Sequence, residues 1–227
     1  MKGNLPMSSI VTYKYIQQNP DIRTYIKNAD AAVEAQGYTE HSFAHVEKTA
    51  ASVELILSTL NYSERTIELG KIAAYLHDIG NVVNRSEHAQ SGAVMAFRLL
   101  DNFDMPADEI CAIVSAIGNH DESTAQPINA ISAALIIADK TDVRRSRVRS
   151  EMINFDIHDR VNYAVEKSEL YFNDDKSAII LELQIDSKIS PVMEYFEIFL
   201  NRMLLCKRSA EFLGIKFHLR INGGDII

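Results

Sequence analysis

Apolar positions along this chain change their spacing once, about two thirds of the way through. In the first part they recur every three or four residues, as in helices that bury one face. Ile22, Ile26, Ala29 and Val33 form one such stripe, opened by Asn19 and Pro20 as N-cap and first-turn residue and closed at Gly37. A second runs through Val46, Ala50, Val53, Leu57 and Leu60, and a third through Leu69, Ile72, Ala73 and Leu76 to Gly80. Asn84 to Glu87 reads as a capping box for a fourth helix that reaches Leu100. Pro106 opens a fifth, with Ile110, Ile113, Val114 and Ile117 inward and Gly118 as its stop. Asn129 opens a sixth, carrying Ile131, Ala134, Leu135 and Ala138.

Past this point the period falls to two. Ile179, Leu181, Leu183 and Ile185 alternate with Ile180, Glu182 and Gln184, and Leu170–Phe172 with Asn173–Asp175 suggest a hairpin partner and its turn. Ser190 and Pro191 open a helix that presents Val192, Phe196, Phe199, Leu200 and Met203 on one face and ends near Gly214. Ile215, Phe217, Leu219 and Ile221 then alternate with Lys216, His218 and Arg220. The expected fold is a mainly α helical bundle over 1–165 with a small C-terminal α+β appendage over 166–227, in the order strand, strand, helix, strand. The appendage is a candidate for regulation or homodimerisation.

Composition narrows the picture. The 227 residues, 47% hydrophobic and 24% charged, suit one full core with a small appendage. Apolar runs such as Ala133–Ala138 are far too short to cross a bilayer. The opening MKGNLPMSSIVTYKYIQQNP lacks a signal-peptide pattern, so a cytoplasmic protein is expected. A net charge of -8 argues against stable nucleic-acid binding. It leaves small anions open, since a metal centre is a strong local positive charge whatever the overall sign. Cys111 and Cys206 each lie in an apolar helical pattern and are expected to be buried, reduced thiols.

Histidine placement carries the chemistry. Of the seven histidines, five fall between His41 and His120, each at or near a helix end. His45 sits early in the second helix. His77 and Asp78 end the third, His88 opens the fourth, His120 follows the fifth, and Asp139 lies one turn after Leu135. Imidazoles and carboxylates directed into an apolar bundle are costly unless paired or bound to a cation. One cation shared by several removes that cost at all of them together. Mixed nitrogen and carboxylate donors suit iron, manganese, zinc, nickel or cobalt. A lone histidine would be read as a hydrogen-bonded core or surface residue. Six ordered positions favour a metal centre. His158, in a polar segment, and His218, on the polar face of a strand, read as surface residues.

The ordered set resembles the HD superfamily, whose pattern is H…HD…D along a helical bundle. The matching segments are His45-Val-Glu-Lys-Thr-Ala50, Ala74-Tyr-Leu-His77-Asp78-Ile-Gly80 and Ile136-Ile-Ala-Asp139. Glu87-His88-Ala and Ile117-Gly-Asn-His120 are similar to the extra histidines of the binuclear branch, and the likeness covers roughly Thr39 to Arg149. The resemblance implies two divalent metal ions, iron or manganese favoured, with zinc, nickel, cobalt or magnesium compatible. One would take His45, His77, Asp78 and Asp139. The other would take His88 and His120, with Asp78 bridging. The implied activity is that of a phosphohydrolase or phosphodiesterase. A metal-bridging hydroxide would attack a nucleotide or other small phosphorylated metabolite, with Asp78 and His77 at the catalytic centre.

Two positions depart from the pattern. Some binuclear relatives carry two adjacent histidines where this chain has His120 and Asp121, which implies a more open or weaker second site. His41, four residues before His45 on the same helical face, competes with it as a ligand; the Val and Thr-Ala continuation favours His45. No Gly-Tyr-Pro follows the site, so the cyclic-di-GMP-degrading branch is not indicated. Ile-Gly-Asn after Asp78 likewise departs from the (p)ppGpp hydrolases.

Lys140, Arg144, Arg145, Arg147 and Arg149 form the basic cluster. If the helix bearing Asp139 continues, Lys140, Arg144 and Arg147 share a stripe that can grip substrate phosphate. The bland alternative is a solvated helix end where cations meet the dipole. Asn84 and Arg85 also lie within reach of the site. Two other function classes compete: an HD-type di-iron oxygenase, which shares the ligand set, and a non-catalytic metal-bound sensor or binding module, a class that generally loses ligands.

Overall fold

The computed structural model describes residues 10–149 and 156–226. The first nine residues of the opening segment lie outside that range. Side-chain caps set most helix starts. Thr12 caps α1 (Tyr13–Gln18), and the Asn19 side chain accepts from the Asp21 and Ile22 amides at the head of α2 (Pro20–Glu34). Ser42 caps α3 (Phe43–Thr59) and Ser63 caps α4 (Glu64–Leu76), which gives way to a 3-10 turn over Ile79–Val82. Next come α5 (His88–Asn102), α6 (Ala107–Gly118) and α7 (Ala130–Lys140), the last opened by a reciprocal Asn129–Ser132 capping box.

The core is organised around α7, which is buried on nearly every side, as expected of a helix with little polar surface. On one side it meets α3, α4 and α6, while the α5–α6 pair closes against the 3-10 turn. Its other side is covered by α9 (Val192–Phe212). A short helix, α8 (Ile157–Ala164), leads into β1 (Val165–Phe172). The sheet runs β1-β2-β3-β4, with β2 (Ala178–Ile185), β3 (Lys216–Ile221) and β4 (Gly224–Asp225). β1 and β2 pair antiparallel; α9 is the crossover that lets β2 and β3 pair in parallel. One contiguous apolar cluster includes Ile72 and Leu135 of the bundle together with Leu181, Phe199 and Leu219 of the C-terminal part. The molecule is thus mainly α with a small C-terminal sheet. Among the described residues, no helix is long and apolar enough to cross a membrane.

Four local expectations are corrected. There is no capping box before α5: Glu87 takes a left-handed conformation at φ 60°, and the Asn84 side chain instead accepts from the Ser86 amide in a local turn. Ser42 caps α3, so His41 precedes the helix rather than sharing its face with His45. Cys111 is exposed on α6, while Cys206 is buried; both are free thiols. Finally, the Asp139 helix stops at Lys140. The Thr141 hydroxyl donates back to the Ile137 carbonyl at 2.7 Å, and the chain then turns. Lys140, Arg144 and Arg147 therefore share no helical stripe.

Candidate metal centre

Five segments deliver the six predicted residues to one place. His45 comes from the first turn of α3, and His77 with Asp78 from the end of α4. His88 comes from the start of α5, His120 from just past α6, and Asp139 from the last turn of α7. His45, His77, His88 and His120 are all at most 3% exposed, and Asp78 5%. Convergence depends on a close approach between the 3-10 turn and α5. A Cβ placed on Gly80 would lie 2.0 Å from the His88 carbonyl oxygen and 2.4 Å from the Gly92 nitrogen. Glycine is the residue that fits there.

Each imidazole is oriented through Nδ1. That atom lies 2.8 Å from Asp142 Oδ2 in His45 and 2.7 Å from the Ala74 carbonyl in His77. In His88 it lies 3.0 Å from the Arg85 carbonyl, and in His120 2.6 Å from the Ile117 carbonyl. A carbonyl oxygen only accepts, so Nδ1 carries the proton and the neutral ring turns its Nε2 lone pair inward. The Nε2 atoms then face one another in two pairs, His45 with His77 and His88 with His120, each 3.3 Å apart.

Asp78 sits between the pairs. Its Oδ2 lies 3.2 Å from His77 Nε2 and 3.6 Å from His45 Nε2, while its Oδ1 lies 3.4 Å from His88 Nε2 and 3.9 Å from His120 Nε2. Asp139 Oδ1 closes the first pair, 3.3 Å from His45 Nε2 and 3.8 Å from His77 Nε2. Inward lone pairs and two carboxylates make a donor set that fits divalent cations. Three triads have mutual spacing suited to an ion: His45–His77–Asp78, His77–His120–Asp139 and Asp78–His88–His120.

Residues 42–144 match the family model described as HD domain. That span is an HD domain. The chain is also similar to the Methanocaldococcus jannaschii protein named "Uncharacterized protein MJ1020", at 24% identity over 188 residues covering 72% of each chain. That name specifies no substrate. HD domains bind divalent metals and are typical of metal-dependent phosphohydrolases. The buried His/Asp groups described above lie within the matched span.

The electrostatics of this HD centre favour positive charge. Burial opposes a charged Asp78, but His77 beside it prevails and holds its pKa well below the usual range. Asp139 is held low in the same way, burial being outweighed by the Lys140 ammonium beside it. Burial also opposes a charge on His77, yet Asp78 raises its pKa. Burial dominates at His88, which is lowered, and at His120, which falls to about 3. The two carboxylates that raise the proton affinity of His77 would draw a cation equally, so proton and metal compete for its Nε2.

A cavity of about 380 Å³ opens over Asp78, His88, His120 and Asp139. Lys140 lines it, with Nζ 2.6 Å from Asp139 Oδ2. Arg85 lines it too, donating to Asn81 Oδ1 at 3.1 Å, and Asn81 in turn donates to Asp78. Arg147 reaches the cavity wall, but its guanidinium donates to the Glu40 and Asp142 carbonyls. Arg144 is absent from the lining; it donates to Asp142 Oδ1 and Glu40 Oε2 at 2.9 and 3.2 Å. His41 lines the cavity with Nδ1 2.7 Å from the Thr39 carbonyl, outside the three triads. A larger, open depression of about 880 Å³ beside α9 contains none of the triad residues.

The far wall was not anticipated. His158, Asp159 and Asn162 of α8 face the cavity together with Phe199 and Arg202 of α9. His158 lies in a polar segment that reads as surface, and nothing in the sequence pattern marks α8 as a cavity wall.

Proposed function

We propose that this HD protein is a binuclear metal-dependent phosphohydrolase or phosphodiesterase acting on a small phosphorylated metabolite, with nucleotides among the candidates. The observation that carries this reading is Asp78, whose two oxygens each face a different pair of inward imidazole nitrogens. One ion would be held by His45, His77, Asp78 and Asp139, and the second by His88, His120 and Asp78. When bound, two divalent ions lower the pKa of water and offset charge on phosphoryl oxygens.

The protein supplies the rest. Backbone carbonyls and Asp142 fix the four imidazoles in one tautomer, so the donor atoms need little rearrangement. Lys140 and Arg85 place positive charge at the inner end of the cavity, where an anionic substrate group would lie. The cavity volume of about 380 Å³ suits a single small ligand. Those two cations favour a phosphate ester over the oxygen-activating di-iron alternative. A non-catalytic sensor has no need of this complete donor set.

Phosphate release from a panel of nucleotides, sugar phosphates and phosphodiesters, measured with protein loaded with Mn2+ or Fe2+, tests the proposal. Turnover of at least one ester is expected, with Lys140→Ala raising KM about tenfold or more, as loss of a charge-assisted contact does. Oxygen consumption with no phosphate release from any ester would transfer the assignment to the oxygenase class.

A further inference from the structure

His45 is held at both ring nitrogens by carboxylates from the same short segment. Its Nε2 lies 3.3 Å from Asp139 Oδ1, and its Nδ1 lies 2.8 Å from Asp142 Oδ2. Asp142 is 2% exposed, stands three residues after Asp139, and belongs to none of the three triads.

An ionised carboxylate this deeply buried needs compensation, and the structure provides three cations. Lys48 Nζ lies 3.0 Å from Asp142 Oδ1, Arg144 Nε donates to the same oxygen at 2.9 Å, and Arg147 Nη1 lies 3.8 Å from Oδ2. Arg147 also donates to the Asp142 carbonyl at 2.9 Å, pinning the backbone. Glu40 braces the outside: it accepts from Arg144 at 3.2 Å, its amide donates to the Arg147 carbonyl at 2.8 Å, and its carboxylate accepts from Ser42, the N-cap of α3. The network ties the start of the helix that carries His45 to the segment that carries Asp139.

We propose that Asp142 is a positioning residue that holds His45 as the Nδ1–H tautomer and so commits its Nε2 to the first metal ion. Lys48, Arg144 and Arg147 serve to hold Asp142 ionised and in place, and Arg144 is not a substrate-phosphate ligand. Carboxylate partners of this kind fix ring orientation and raise the basicity of the ligating nitrogen. The inference rests on the metal-centre reading above, but not on which reaction the centre performs.

Its test is Mn2+ titration of metal-stripped protein, with thermal denaturation run alongside as a check on folding. Asp142→Ala is expected to weaken binding of the first ion about 10- to 100-fold. Asp142→Asn keeps an oxygen that can accept from Nδ1–H, so its loss should be smaller and its fold intact. Nitrogen NMR of the Zn2+-loaded wild type should show His45 protonated at Nδ1. Wild-type Mn2+ affinity in folded Asp142→Asn and Asp142→Ala, or an unprotonated Nδ1, would overturn the role of Asp142 and leave the metal centre standing. Failure of the wild type to bind Mn2+, Fe2+ or Zn2+ would remove the metal centre itself, and the role with it.

Discussion

At the scale of single residues, the site consists of groups whose charge states depend on one another. His120 and His88 are buried neutral, with pKa values below that of an exposed histidine. An unfolded chain takes up a proton at each near pH 6.5, whereas folded His120 resists until about pH 3. Acidification through that window therefore favours the unfolded state. His77 acts in the opposite sense: its raised pKa gives a contribution present below pH 6.5 and lost as pH rises through the folded value. Asp78, Asp139 and Asp142 contribute above their ordinary value of 3.8, and that contribution disappears as pH falls through their lowered values. With three lowered histidines, His41, His88 and His120, against one raised, metal-stripped protein should lose stability between about pH 6.5 and 3, read from urea midpoints across the range. A flat profile would contradict neutral burial of His88 and His120. All six residues around the paired nitrogens were legible in the sequence, because polar residues at helix ends on apolar faces need a common partner. The position of Arg144 outside the cavity lining was not legible, because it depends on where α7 stops. That stop is set by a hydroxyl hydrogen bond that periodicity does not reveal.

At the scale of elements, helix ends rather than helix faces build the centre, so small shifts of one element move a ligand. Gly80 is the most exacting contact. Its alanine variant would press a methyl group into the backbone of α5 at His88 and Gly92. Gly80→Ala should cost about 1–3 kcal/mol from overpacking and displace His88 from Asp78. The matching signs are a lower denaturation midpoint and weakened binding of the second ion; wild-type values for both would show that α5 can move aside freely. The long amphipathic helices and β2, β3 and α9 followed from periodicity. α1 and α8 did not: α1 has six residues and buries only Ile16, while α8 has only eight. Neither is long enough to display a repeat. The polar, exposed residues of β1, such as Glu166, Lys167 and Glu169, likewise hid its first half.

For the whole molecule, the division into 1–165 and 166–227 is a proposal about chain organisation, and the two parts share their interior. Ala125 and Ile136 pack with Leu205 of α9, and Tyr195, Phe199 and Met203 belong to the same buried cluster as the bundle helices. Common burial predicts a single unfolding transition. Leu205, 1% exposed, makes a direct probe. Leu205→Ala should cost about 2–5 kcal/mol in urea denaturation followed on the whole chain, through lost burial and the cavity left behind. Two separate transitions, or a cost near zero, would mean that α9 only rests on the bundle. The C-terminal part also supplies Phe199 and Arg202 to the cavity wall, so a variant that loosens α9 should reshape ligand access as well as stability.

The most direct measurement is the number of divalent ions bound per chain, taken across a short series of variants by Mn2+ titration with elemental analysis. Two ions are expected for the wild type and one for His88→Ala or His120→Ala. Asp78→Ala, which removes the carboxylate facing both nitrogen pairs, should retain neither ion tightly. A wild type that binds no divalent ion, or an Asp78→Ala variant that still holds two, would contradict the account.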